Sequence, residues 1–293
     1  MKWGTLLGSW GDVIVQLGIF RERVGVGGVI FYGGDPALVE FLEAQDCVTE
    51  VRWTVPKPNE FQNTLNLAWN EATYLEALTI MLEGTGVDPE DVEHTQLKAI
   101  HSATWDNIIP IYKGLKLPEE CTAWAKSMVK HLPRPIFLIQ PYSIRTNGWL
   151  AHWPYWGNLL QWLFADRDAT YIVCGSGWGT ELFEPVSNVI NLVNQTPSQA
   201  FVFALASECE GVITTSNSLA HYSVSQEIPC VTLCARNSAE PNSVFNKTLI
   251  CPTNDVISYF TSPVEVAFRL QKRFGLWPDL STCGDAHFFI LSD

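Results

Sequence analysis

Strand-like and helix-like segments alternate along this chain, and no other feature constrains its fold as strongly. Trp3–Leu7 reads as a buried strand, Gly8-Ser9-Trp10-Gly11 as a turn, and Asp12 as the opening of a helix. In that helix Val13, Leu17, Phe20 and Val24 fall on one stripe. Gly27–Tyr32 is a second strand ending at Gly33-Gly34, Asp35-Pro36 caps a second helix, and residues 48–53 form a third strand. Such alternation predicts parallel strands joined by crossover helices. It returns after residue 135, with strands at 136–140, 171–174, 188–192, 211–214 and 230–234. Helices follow at 154–164, from Pro197, at 216–226 and at 263–273. Between the two runs the pattern is less regular. It predicts one long helix over 65–82, an irregular polar stretch over 88–104 and a helix after Pro118.

The fold class expected is α/β: two Rossmann-like domains with parallel sheets facing an interdomain cleft. Pro133-Arg134-Pro135 stiffens the chain and marks the linker. Residues 1–133 then form one domain and 134–262 the second, with 263–293 a C-terminal helix and tail packing back on the first. A two-half cleft also predicts closure on a ligand.

Charge narrows the partners. The 293 residues carry 18 Lys+Arg against 31 Asp+Glu, a net charge of -13. That balance disfavours sequence-independent binding to nucleic-acid phosphates and docking on anionic membranes. The eight Cys include no C-x-x-C pair, and none has a His at metal-ligand spacing, so reduced, buried thiols are expected. The N-terminus has no signal-peptide pattern and no apolar run approaches about 18 residues, so the expected location is cytoplasmic with no transmembrane segment.

In open α/β sheets ligands bind outside the carboxyl ends of the strands. Two loops there carry chemistry. In the first, Ser9, Trp10 and Gly11 are candidate acceptor-binding residues, and Asp12 is either a general base for an acceptor hydroxyl or simply a helix cap. The second is Thr214-Thr215-Ser216-Asn217-Ser218, leading to His221. Hydroxyls and free N–H groups at a helix start can hold an anion without lysine, and His221 stands one turn on. The plainer alternative is an N-cap with a partly buried His. Gly175-Ser-Gly177-Trp-Gly179 is a poor dinucleotide fingerprint but fits a tight turn. P-loop, zincin and hydrolase-elbow motifs are absent from the sequence.

Together these segments resemble glycosyltransferase family 9, the group of the ADP-heptose lipopolysaccharide heptosyltransferases, which are GT-B enzymes. The likeness rests on residues 6–14, on Pro141-Tyr-Ser143 with His152-Trp153-Pro154, and on the run from Asn191 through Leu233. The resemblance implies that Asp12 is the catalytic base, and that Ser143, Arg145, Gly175, Gln195, Thr196, Ser216, Asn217, Ser218 and His221 hold a nucleotide-sugar donor. The family's Asp-[Ser/Thr]-Gly is Ser216-Asn217-Ser218 here, and Ala151 stands nearest its phosphate-binding Lys. Arg145 is then the candidate cation.

The expected function is metal-independent transfer of a sugar from a nucleotide-diphosphate donor to an acceptor hydroxyl, on a glycan or, less favoured, a modified nucleic-acid base. No cofactor is expected; the nucleotide sugar is substrate. A catalytically degenerate nucleotide-sugar binder of the same fold, a viral-type DNA-base glycosyltransferase and an NAD-dependent oxidoreductase are the alternatives. Trp156 and Trp162 read as helix packing, and Trp10, Trp149, Trp153 and Trp178 as loop residues facing the cleft.

Overall fold

The computed structural model describes residues 1–57, 59–68, 72–93, 112–141, 153–165, 167–175, 186–234, 249, 251–258 and 261–276. It contains two fully parallel sheets. The first joins β1 (Trp3–Leu7), β2 (Gly27–Tyr32), β3 (Val48–Thr54) and the short β4 (Val92–Glu93), in the order β3-β2-β1-β4. The second joins β5 (Ile136–Gln140), β6 (Thr170–Val173), β7 (Val189–Asn191), β8 (Gly211–Thr215), β9 (Cys230–Cys234) and β10 (Asn254–Ser258). Its order is β10-β9-β8-β5-β6-β7.

Both faces of the first sheet are covered, which its near-continuous apolar strands require. Helices α1 (Trp10–Arg23) and α2 (Pro36–Glu43) bury Leu6, Val29 and Phe31. On the other face α3 (Glu60–Ala68) and α4 (Tyr74–Leu82) cover Leu7, Ile30 and Tyr32. In the second half, α6 (Trp156–Ala165) and α9 (Pro263–Phe274) pack on Phe137, Ile139 and Val231. The opposite face, with Leu138, Ile172 and Val212, meets α7 (Gln199–Ser207) and α8 (Ser218–Ser225). Helix α5 (Glu119–Val129) packs against α7, and α8 packs against α1. The helices between the sheets therefore share one apolar core.

Several expectations change. The long helix predicted over 65–82 is two helices, and Thr73, on the turn before α4, donates its hydroxyl to the Leu67 carbonyl. Strands β4 and β10 had no sequence signal. Of the segment 263–293 expected to pack back on the first half, the described helix lies on the second half, and residues 277–293 lie outside the described residues. The helix stripe of Val266, Ala267 and Leu270 covers the second sheet, and Phe274 lies 5.2 Å from the Phe137 ring. Gly211 makes room for that ring, since a Cβ there would sit 2.4 Å from Phe274 Cε1. Two tryptophans assigned to the cleft are core residues: Trp10 is enclosed by Phe41 and Phe203, and Trp153 packs edge-on against Trp156. Trp156 and Trp162 are buried, as their helical spacing implied. Trp149 and Trp178 lie outside the described residues.

Candidate functional site

Strand order locates the site before any side chain is considered. In the first sheet β2 and β3 lie on one side of β1 and β4 on the other. In the second, β6 and β7 lie on one side of β5, and β8, β9 and β10 on the other. Each half therefore has a topological switch point, where helices leave a crevice at the carboxyl ends of the strands. The loop from Gly8 to Asp12 leaves β1 at the first switch point, and Gln140 and Ser216–Ser218 stand at the second.

The helix start at the first switch point is not where the sequence puts it. Ser9 is extended, with φ -87° and ψ 177°, and α1 begins at Trp10, two residues before Asp12. Asp12 reaches back, so that its Oδ2 accepts from the Ser9 backbone N–H at 2.7 Å and from the Ser9 hydroxyl at 2.8 Å. One carboxylate oxygen thus closes a capping arrangement that satisfies groups at the helix start. The Trp10 indole N–H donates to Asp35 Oδ2 at 2.7 Å, tying this loop to the start of α2.

The second switch point is built around Asn217. Its Oδ1 accepts from the Leu219 and Ala220 N–H groups at 2.9 and 3.2 Å, which fixes the amide orientation. Its Nδ2 is then a donor, shared among Thr214 Oγ1 at 2.9 Å, Thr215 Oγ1 at 3.3 Å and Gln140 Oε1 at 3.3 Å. This corrects one expectation: two of the N–H groups proposed to cradle an anion are already capped by Asn217. What the segment still offers is the Ser218 hydroxyl, the helix dipole and the half-buried rim of the loop.

The two loops meet. An added Cβ on Gly11 would lie 3.4 Å from His221 Cδ2 and 3.5 Å from Ser218 Cα, so α1 and α8 touch at their N-terminal ends. Gly11, the residue before Asp12, is thereby brought against Ser218 and His221 of the far half of the chain. His221 itself is 4% exposed, packed in the contact between halves. One helical turn of the same packing stacks Tyr222 on Phe203 at 4.4 Å, and burial pushes the Tyr222 phenol up to about 12 against the opposing effect of its bond to Ser207.

The remaining candidate donor-binding residues extend along the second rim. Gly175, with φ +126°, packs on the Gln140 side chain, and its carbonyl accepts from Asn194 N–H at 2.8 Å. Gln195 and Thr196 continue that turn. Ser216 is buried at the end of β8, donating its N–H to the Leu233 carbonyl of β9. Ser143 and Arg145 lie outside the described residues. Gln140 was missed from the sequence, although it is the polar last residue of an otherwise apolar strand. It joins Asn217 on β8's side to Gly175 on β6's side.

The chain aligns with three solved glycosyltransferases over nearly its whole length. Escherichia coli ADP-heptose lipopolysaccharide heptosyltransferase II covers 93% of this chain and 98% of its own, with TM-score 0.59 at 16% identity. The glycosyl transferase family 9 protein from Veillonella parvula covers 95% and 90%, with TM-score 0.58 at 13% identity. E. coli heptosyltransferase WaaC with ADP covers 93% and 100%, with TM-score 0.56 at 14% identity. The chain shares their fold. At these identities the likeness is one of architecture: two parallel α/β halves of the GT-B type. No protein-family model matches the sequence, and no curated protein matches it in sequence.

Among the described residues no group of three His, Cys, Asp or Glu side chains is arranged to hold a metal ion. The described cysteines are free, and burial pushes the thiols of Cys121, Cys209 and Cys230 up to about 11, 12 and 12, well away from a reactive thiolate. A cavity of about 250 Å³ beside Pro133, Arg167, Thr170 and Asn188 opens at the amino end of the second sheet, opposite the rim where the two loops meet. No helix among the described residues is long and apolar enough to cross a membrane.

Proposed function

We propose that the chain is a metal-independent glycosyltransferase that moves a sugar from a nucleotide-diphosphate donor to an acceptor hydroxyl. The observation that carries this reading is the contact of Gly11, next to Asp12, with Ser218 and His221 at the second switch point. The shared fold supports the same class. In this reading the donor lies along Asn217, Gln140, Gly175, Gln195 and Thr196, with its diphosphate at the start of α8. Asp12 takes the proton of the acceptor hydroxyl, the hydroxyl oxygen bonds to the anomeric carbon, and the nucleoside diphosphate leaves with the electrons of the broken C–O bond. Developing charge on the diphosphate meets the α8 dipole, the Ser218 hydroxyl and Arg145.

The test is Asp12→Asn, with transfer followed across a panel of nucleotide sugars and nucleotide binding followed by thermal shift. Transfer is expected to be lost while the shift with nucleotide persists. Wild-type turnover in the variant would remove Asp12 from the mechanism.

A second reading has its own support. Asp12 Oδ2 is engaged twice by Ser9, and Asn217 caps two N–H groups of α8, so both loops are also well made as plain helix starts. That favours a nucleotide-sugar binder without catalysis. Nucleotide binding with neither transfer nor donor hydrolysis in the wild-type protein would select it.

A further inference from the structure

A row of hydrogen bonds runs outward from Asp12 along the carboxyl rim of the first sheet. Asp12 holds Ser9. The neighbouring Trp10 donates its indole N–H to Asp35, at the start of α2. Two residues before Asp35, the Gly33 carbonyl accepts the indole N–H of Trp53 at 2.7 Å, at the end of β3. The row crosses β1, β2 and β3 in turn, two strand spacings or about 10 Å. Register pairs Leu6 with Phe31 and Phe31 with Trp53, so Trp53 leaves the sheet on the face that α1 and α2 occupy. Trp53 and Asp12 thus share one face and one end of the sheet.

Trp53 differs from Trp10 in exposure: it is 40% exposed, against 8% for Trp10. A single exposed aromatic is ordinary on a protein surface. Here, however, the indole N–H is bonded to a backbone carbonyl. That bond fixes the plane of the ring and satisfies its one polar group, leaving an oriented apolar π face at the rim. Val55, two residues on, is 58% exposed. Such a face suits the apolar C–H surface of a sugar ring, through burial and contact with the ring's electron-rich face. Charge restricts which sugar chains are admitted. Residues 1–133 hold 18 Asp and Glu against 10 Lys and Arg, so a polyanionic chain is repelled.

We propose that Trp53 is a stacking platform for an uncharged oligosaccharide acceptor, whose reacting end sits at Asp12 and whose second or later sugar covers the indole. The acceptor role rests on the glycosyltransferase reading, but contact between glycan and indole is measurable without a donor. The separation of about 10 Å exceeds one sugar ring, so a monosaccharide does not reach both sites.

The experiment uses an array of neutral and acidic glycans of one to six sugars, probed with the full chain, Trp53→Ala and Trp53→Phe, with melting temperatures measured for all three. Binding is expected for neutral chains of two or more sugars. It is expected to weaken about tenfold in Trp53→Ala and to be largely kept in Trp53→Phe, at unchanged melting temperature. Binding confined to acidic glycans, an array without neutral binders, or equal binding by Trp53→Ala and wild type overturns the proposal. Thermal shift with UDP, GDP, ADP and CDP runs beside it. A nucleotide shift with a blank array removes the platform and keeps the glycosyltransferase reading. Glycan binding through Trp53 with no nucleotide shift does the reverse.

Discussion

Gly8 is fixed by two independent constraints. Its φ is +108°, a region that side-chain-bearing residues rarely adopt, and an added Cβ would lie 2.5 Å from Asp12 Oδ2 and 2.7 Å from Asp12 Cβ. Gly8→Ala is therefore expected to destabilise the chain by about 1–3 kcal/mol and to push the Asp12 carboxylate off Ser9. Urea unfolding measures the first effect; a loss below about 0.5 kcal/mol would show that the turn relaxes around the methyl group. At this scale the sequence was informative where chemistry is local. Gly8 and Asp12 stand in a glycine turn between a strand and a helix, and that turn is real. The exact helix start was not legible, because Asp and Ser are both good caps and only the reach of Asp12 back to Ser9 decides between them. The tryptophans were less legible still. Trp10 and Trp153 sit beside turn residues in sequence, yet Phe41, Phe203 and Trp156 decide their burial, and those neighbours come from elsewhere in the fold.

Among the elements, α8 carries the clearest division of labour. Asn217 Oδ1 satisfies two N–H groups of the helix, while Nδ2 ties the loop to Thr214 and Gln140. Asn217→Ala removes both functions and is expected to cost about 1–2 kcal/mol. Asn217→Asp keeps the cap acceptor and loses the donated bonds, so its cost is expected to be smaller. Denaturant unfolding of the two variants separates the roles, and equal costs would mean that the tie to Gln140, not the cap, dominates. The strand before this helix and the helix itself were readable, since five buried residues run into a polar start. Strands β4 and β10 were not. β4 has only two residues, and β10, Asn254–Ser258, has just two adjacent apolar residues and no alternation, so it does not stand out. The break between α3 and α4 was missed for a related reason: apolar residues at 67, 75, 78, 81 and 82 keep helical spacing across it.

At the scale of the whole molecule, tandem α/β patterning correctly implies two parallel sheets, but it says nothing about how firmly the halves are joined. The join is aromatic. Trp10 from α1 meets Phe203 from α7 edge-on at 5.5 Å, Phe41 from α2 lies 6.5 Å from the same ring, and Phe203 stacks on Tyr222 from α8. Trp124 from α5 meets Phe201 at 5.3 Å. Trp10, Phe41, Phe203 and Tyr222 belong to one buried cluster, with Trp124 and Phe201 half-buried against it, that also holds Leu6 and Phe31 of the first sheet and Leu138 and Val212 of the second. Two halves that share a core cannot swing apart without exposing it, so ligand-driven closure here is limited to the rims rather than the join. Scanning calorimetry tests the join directly. A shared core is expected to give a single transition whose calorimetric and van't Hoff enthalpies agree. Phe203→Ala, which empties the centre of the seam, is expected to destabilise that one transition by about 3–5 kcal/mol. Two resolved transitions in the wild-type protein, or a Phe203→Ala effect confined to one of them, would mean that the halves fold as independent units and that the Gly11–Ser218 approach is free to open.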